Sequence, residues 1–482
     1  MIHAQLYIHG EWLEGNSGRQ IRQYSPARLS EEVGVYPLAT VGETENAIAA
    51  AQAALPRWKS LAAPARGEFL FRAAQLLEQQ TSDVARLMSI EMGKPIGEAQ
   101  GEVKRGVALL RYYAGEGMQS IGEAYPSSDG QSMLVTHRVP LGVVGVITPW
   151  NFPVAIPLWK MAPALVYGNT VVWKPAGPAA LTAYRLMEIL HAAGFPPGVI
   201  NLVSGGGGDV GETIVRHPSV AGITFPGSNE VGKRVALLAV ERGAKYQLEM
   251  GGKNPTIIAE DADLEKASTL TLSAAMRSAG QKCTATSRVI VDRKVLEPFT
   301  ALLLEKVKQI RLAHPLVPDC YLGPVVNPAQ QASILEAIAR GQQAGARLLA
   351  GGKAPQGELA EGCYVEPTIF DQVDPHSELA QKEIFGPVLS IVPADDLQHA
   401  LELANDVEFG LSAAIFTTRI DRMLTFLRGI EAGLIKINGE TAGVEPHAPF
   451  GGMKQSSSHS REQGRAAIEF FTAIQTISIS AP

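Results

Sequence analysis

The hydrophobic period of this chain changes near Leu141. Before it, apolar residues recur at helical spacing. Leu70, Phe71, Ala74, Leu77, Val84, Leu87 and Met88 share one face of a helix read over 64–92, with Pro64 suited to its first turn and Gly93 to its stop. Amphipathic helices are also expected over 43–56 and 97–117, after short strands and turns in 7–40. Beyond Leu141, β-rich runs (143–148, 170–173, 199–203, 221–225, 245–249) alternate with helical ones (158–167, 180–193, 209–216, 229–242). Alternation of this kind predicts a parallel sheet flanked by helices. A second series follows, with a strand at 256–259, a helix over 263–279, a strand at 287–291, a helix over 294–310 and helix–strand units to about 440. The chain therefore reads as α/β, with two consecutive parallel-sheet domains meeting near 249–252. Residues 126–140 and 468–480 alternate polar and apolar, most clearly in Thr476–Ser480, and predict a small outlying sheet at a subunit interface. The polar run Gln455–Gly464 reads as a solvated loop before the last helix.

Composition narrows the class. A chain of 482 residues calls for two or three domains. Hydrophobic residues at 46%, charged residues at 19% and a net charge of −6 describe a globular protein without a nucleic-acid face. No apolar run approaches the roughly 20 residues of a membrane helix. The N-terminus lacks the basic and apolar regions of a signal peptide, so a cytoplasmic location is expected. Three scattered cysteines, Cys283, Cys320 and Cys363, fit neither a disulfide framework nor a zinc site, and no metal is expected.

Candidate chemistry centres on Cys283, in Ala279-Gly-Gln-Lys-Cys-Thr-Ala-Thr-Ser-Arg288, and on Glu249, in Leu248-Glu-Met-Gly-Gly-Lys-Asn254. A thiol near a carboxylate base can attack a carbonyl carbon covalently, while a lone cysteine can equally be a small core residue. Gly206–Gly211 fits G-x-G-x-x-G, with Glu230 beyond it, and Gly227-Ser228 opens a second strand-to-helix turn. Either could offer helix N–H groups to a phosphate, and either could be a plain turn. Asn151, in the rigid turn Pro149-Trp-Asn-Phe-Pro153, can donate to an oxyanion or cap its own turn. Lys174, before Pro175 at a strand end, lies where cofactors bind in open sheets or is an ordinary surface cation. Glu383 and Phe385 can hold a ribose diol and flank a flat ring, or be a surface acid and a core aromatic. Arg277 can pair with a substrate carboxylate or close a helix C-terminus.

Taken together, these runs resemble the NAD(P)-dependent aldehyde dehydrogenase superfamily over nearly the whole chain. The resemblance is carried by Pro149–Pro153, Lys174-Pro-Ala176, Gly227-Ser228, Leu248–Lys253, Gly280-Gln-Lys-Cys283, Glu383–Pro387 and Pro449-Phe-Gly-Gly452, in that order and spacing. It implies the aldehyde dehydrogenase fold: a Rossmann-like cofactor domain (1–125 and 141–249), a catalytic domain (250–440) and oligomerisation strands (126–140 and 468–482). Cys283 would be the nucleophile and Glu249 the general base, and Asn151 with the Cys283 N–H would form the oxyanion hole. The cofactor would lie along Thr148, Pro149, Trp150, Lys174, Ala176, Gly177, Gly227, Ser228, Gly232, Glu383 and Phe385. Arg277, Trp159 and Phe450 would face substrate. On this reading the 206–211 glycines are not the pyrophosphate loop.

Departures from the family pattern refine the expectation. Many NAD-preferring members carry Glu where this chain has Gly177, so NADP use is expected alongside NAD. Pro226 replaces the usual Thr before Gly-Ser and removes one N–H. Within the superfamily, Gly280–Arg288 and Ala448–Gly464 most resemble the 2,5-dioxovalerate (α-ketoglutarate semialdehyde) dehydrogenases of bacterial sugar-acid catabolism. Arg277 matches a carboxylate-binding Arg of succinate semialdehyde dehydrogenases, whereas Trp159 stands where those often carry a second Arg. Succinate semialdehyde or another small aldehyde is the alternative substrate. A CoA-acylating enzyme and a non-catalytic nucleotide-binding or structural protein on this fold are the other readings. The resemblance implies a homodimer or homotetramer, with no nucleic-acid or membrane partner.

Overall fold

The structure, a computed structural model, describes residues 1–480. Its centre is a pair of seven-stranded sheets. In the first, Lys245–Glu249, Val220–Pro226, Val143–Thr148, Thr170–Pro175 and Ile200–Leu202 run parallel in that spatial order. The N-terminal strands Leu6–Ile8 and Glu11–Leu13 add an antiparallel edge. Val143–Thr148 and Thr170–Pro175 are buried along their whole length, as strands covered on both faces must be. The second sheet runs Arg347–Ala350, Thr368–Asp371, Val388–Ala394, Thr286–Asp292, Asn254–Ile258, Ser412–Phe416, Leu434–Ile437, with only Arg347–Ala350 antiparallel. The chain crosses between the sheets in the four residues separating Glu249 from Asn254, which sets the crossing beside the strand ends of both.

Local sequence explains many element ends. Helix Val41–Ser60 starts at a capping box in which the Thr40 hydroxyl accepts from Glu43 N and the Glu43 carboxylate accepts from Thr40 N. Gly93, at φ +85°, stops helix Thr81–Met92 in the left-handed conformation.

Several expectations are corrected. The helix read over 64–92 is two, Ala63–Gln79 and Thr81–Met92, because Gln80 leaves helical geometry and the Thr81 hydroxyl donates back to Glu78 O. Phe71 is exposed, off the buried face that Leu70, Ala74 and Leu77 make. The helix read over 263–279 ends at Met276; Ser278 and Ala279 turn left-handed, where the Glu98 carboxylate accepts from Ser278 N and Oγ.

The outlying sheet pairs Thr472–Ile479 with Met133–Pro140 and Ala124–Tyr125. It is shorter than the alternation implied. Residues 126–132 form a turn closed by Asp129, and Ala467–Phe471 is a buried helix instead of strand. The last two positions of the expected 468–482 segment lie outside the described residues. Gln455–Gly464 is not solvated: Ser456, Glu462 and Gln463 are fully buried, and the Ser456 hydroxyl donates to Gly251 O. Several of its polar groups bond inside the protein, Ser457 Oγ to the Glu249 carboxylate and Leu248 N to Ser458 Oγ among them, so a polar composition did not mean exposure.

Candidate active site

Where the two sheets meet, a cavity of about 280 Å³ is lined by residues from both. Cys283, Glu249 and Asn151 all reach it, with Pro149, Trp150, Gly227, Ser228, Glu383, Phe385, Trp159 and Phe450. Thr148, Lys174, Ala176, Gly177, Gly232 and Arg277 do not line it. Thr148 is spent on packing, its hydroxyl accepting from Trp173 Nε1 at 2.8 Å. Lys174 is buried beside it on the neighbouring strand, and burial lowers its ammonium to about 8. Arg277 is exposed at the end of its helix, its Nε donating to Ser273 Oγ at 3.1 Å and its guanidinium lying 5.3 Å from the centre of the Tyr321 ring.

The nucleophile loop is held by close packing. Ser278, Ala279 and Gly280 all have positive φ, a conformation only glycine adopts readily. A Cβ on Gly280 would clash with the Gly386 carbonyl, so this glycine lets the Cys283 loop approach the Phe385 loop. Asn254 Nδ2 donates to Cys283 O and Ala285 O, both at 2.8 Å. Cys283 keeps part of its surface open, yet its thiol sits deep in the cleft. Burial, then the charges of Glu383, Glu249 and Glu462, push it to about 12. At neutral pH it is therefore a thiol, and attack requires a base.

Glu249 ends the edge strand of the first sheet. One carboxylate oxygen accepts from Ser457 Oγ at 2.5 Å, and the other, Oε1, has no partner among the described residues. Burial raises this carboxyl well above the usual range, and the charge of Glu462 adds to that. Ser457, Lys160 and Arg461 oppose the rise. Gly451, at φ +147°, passes so close that a Cβ there would stand 2.8 Å from Glu249 Oε1. Once ionised, this carboxylate has one free oxygen and a raised proton affinity, and can take a proton from a thiol or a water.

Asn151 is buried, and its Nδ2 donates to Gln281 O at 3.0 Å, leaving a second N–H and Oδ1 without a partner among the described residues. Ile156, Trp159 and Phe450 also line the cavity, the last two with ring centroids 5.4 Å apart. The Trp159 indole N–H is buried and has no partner among the described residues.

The opposite end fits a nicotinamide dinucleotide. Trp150 and Phe385 stand edge to face at 5.6 Å, suited to a flat ring. Phe385 is held at φ +56°, with Gln330 Nε2 donating to its carbonyl at 3.1 Å. Ser228 caps helix Asn229–Val240 and accepts from Val231 N, while the other free N–H groups of that helix start suit a phosphate. Glu383 accepts from Gly252 N at 3.1 Å, and burial raises its carboxyl to about 7. The four-glycine run lies elsewhere, as a wide turn in which Val210 N and Gly211 N donate to Gly206 O. No cluster able to hold a metal occurs among the described residues.

Some site residues gave no signal in the sequence. Ser457, Glu462 and Lys160 come from a run read as solvated and from an apolar helix. Gln330 opens a helix that belongs to no motif.

Residues 12–477 match the aldehyde dehydrogenase family. The α-ketoglutaric semialdehyde dehydrogenase of Bacillus subtilis (strain 168) is 52% identical over 98% of this chain and 97% of its own. The 2,5-dioxopentanoate dehydrogenase of Saccharolobus solfataricus is 41% identical, with 97% of each chain covered. Among solved structures, Staphylococcus aureus betaine aldehyde dehydrogenase in complex with NAD+ superposes with a TM-score of 0.96 at 32% identity, covering 99% of this chain and 94% of that one. Among the described residues no helix is long and apolar enough to cross a membrane. The chain belongs to the aldehyde dehydrogenase family and is an aldehyde oxidoreductase that uses NAD or NADP.

Proposed function

We propose that this enzyme oxidises α-ketoglutarate semialdehyde (2,5-dioxopentanoate) to 2-oxoglutarate, with Cys283 as nucleophile, Glu249 as base and Asn151 as oxyanion donor. The observation that carries the reading is that all three side chains line one cavity whose far end suits a nicotinamide. The Cys283 sulfur bonds to the aldehyde carbon as Glu249 takes the thiol proton. The carbonyl oxygen becomes an alkoxide, which the free N–H of Asn151 and the Cys283 N–H stabilise. One such donor contributes roughly 3–4 kcal/mol. A bound nicotinamide would supply the acceptor for the hydride on this carbon. Glu249 loses the thiol proton to solvent and, ionised again, takes a proton from the water that attacks the thioester left on Cys283; that proton returns to the Cys283 sulfur as the acid leaves.

The names of the two relatives support the substrate. So does the unpaired Trp159 N–H, which offers a donor to a polar chain where a purely apolar aldehyde would leave it unsatisfied. Arg277 would meet the distal carboxylate.

Lys174 and Glu383 would hold the cofactor riboses, Pro149, Trp150 and Phe385 the nicotinamide, and Gly227, Ser228 and Gly232 the pyrophosphate. Thr148, Ala176 and Gly177 would flank it at the strand ends. We expect NADP to be accepted: a Cβ on Gly177 would stand 2.6 Å from the Tyr36 hydroxyl, so an acid that repels a 2′-phosphate has no room there. The first sheet would form the cofactor domain and the second the catalytic domain. The outlying sheet exposes Met133, Ile474, Ile477 and Ile479, which supports its use in a homodimer or homotetramer. Three free cysteines suit a reducing cytoplasm.

Steady-state kinetics over aldehydes of varied length and charge, with each cofactor and with Arg277→Ala, test the reading. The highest kcat/KM is expected for 2,5-dioxopentanoate. Arg277→Ala should raise KM for acidic aldehydes alone. Equal preference for neutral aldehydes, or for succinate semialdehyde, overturns the substrate assignment.

A further inference from the structure

Lys94 and Glu102 form an ion pair from which water is excluded, each side chain being 1% exposed. Neither lines the cavity. Desolvating two charges is repaid only when further hydrogen bonds complete the pair, and an apolar pair would fill the same space as well. The completing bonds all go to one short segment. Lys94 Nζ donates to Asn151 O at 2.8 Å. Glu102 Oε1 accepts from Val154 N at 2.8 Å and from Ala155 N at 3.1 Å. The Lys94 ammonium also stands 3.9 Å from the centre of the Phe152 ring.

These attachments span the turn that carries Asn151 and the start of helix Ala155–Val166. That helix has no side-chain cap of its own. Glu102, reaching across from helix Ile96–Glu116, supplies the missing acceptor, and a negative charge is favoured at a helix N-terminus. On its other side the Asn151 amide is tied to Gln281 O in the nucleophile loop. Asn151 is therefore fixed at its carbonyl by Lys94 and at its side chain by the Cys283 loop, with one N–H left to point at the reacting oxygen.

We infer that the Lys94–Glu102 pair is a positioning device that sets the aim of the Asn151 amide, an inference that rests on the oxyanion role proposed above. The pair touches no reacting atom and acts through the backbone of residues 151–155.

The test compares full-length enzyme with Asn151→Ala, with Lys94→Met/Glu102→Gln, and with all three changes together. Replacing both partners leaves no unpaired buried charge. The double variant is expected to lose roughly 10- to 100-fold in kcat/KM, since a small misplacement of a catalytic group has that effect. Its melting temperature and its NADPH affinity by fluorescence should stay close to those of the parent. The combined variant should be no slower than Asn151→Ala, because nothing remains to be aimed. Unchanged kcat/KM in the double variant overturns the inference, and so does a loss that multiplies with that of Asn151→Ala. If Asn151→Ala itself keeps full activity, the oxyanion reading fails, and the inference falls with it. Should the double variant not fold, Lys94→Arg takes its place: it keeps the charge, moves the donor, and must show the same non-additivity.

Discussion

Two buried lysine–glutamate pairs stand behind this site, Lys94–Glu102 behind Asn151 and Lys160–Glu462 near Glu249, and they are completed differently. In the first, both glutamate oxygens are taken, one by the lysine and one by two backbone N–H groups. In the second, Glu462 Oε2 has no partner among the described residues, and the remaining bond of Lys160 goes to the Thr224 hydroxyl at 2.8 Å. The first pair is saturated by main chain and holds a shape. The second is unsaturated and holds charge close to Glu249, where Glu462 raises that carboxyl and Lys160 lowers it. The same two residue types therefore serve geometry or electrostatics according to what finishes their hydrogen bonds.

The largest effect should come from removing the group that the second pair surrounds. Glu249→Gln is expected to slow steady-state turnover by roughly 10²- to 10⁴-fold, the range of general-base catalysis. Stopped-flow absorbance should then show any reduced cofactor formed before the block stalling at one equivalent per site. Continued turnover at the parent rate would mean another base serves.

Breaking either pair on one side only should reveal their likeness. Lys94→Met and Lys160→Met each strand a buried carboxylate, and each is expected to cost about 3–5 kcal/mol in urea unfolding. A loss near zero for either would show that water reaches that pair.

The pH profile of kcat should separate them. Glu462→Gln removes a like charge that raises Glu249, so the ionised base appears at lower pH and the rising limb moves down. Lys160→Met removes a cation that lowers Glu249 and should move the limb up. Lys94→Met/Glu102→Gln should leave it in place. A shift there would erase the distinction between the two pairs.

The smallest expected effect is that of Ser457→Ala. Losing its 2.5 Å hydrogen bond to Glu249 raises that carboxyl, so the limb moves up and the rate at neutral pH falls roughly 5- to 10-fold.

Much of the fold was legible because its signals are local. The strand runs from Val143 to Glu249 and the helices between them appear near their expected bounds, since buried parallel strands and amphipathic helices write their periods directly into the chain. Two of the errors fall where a distant partner overrides local preference. Helix Leu264–Met276 stops early because Glu98, 180 residues away from Ser278, captures its end. Gln455–Gly464 looks solvated until Ser457 meets Glu249, 208 residues away.

The order of elements, the α/β class and the residue types able to do carbonyl chemistry follow from periodicity and motif spacing, which depend on neighbours along the chain. The protonation of Cys283, the free oxygen of Glu249, the aim of Asn151 and the roles of Lys94, Glu102, Lys160 and Glu462 arose only in the folded protein. Desolvation and pairing energies do not exist until segments hundreds of residues apart exclude water from one another.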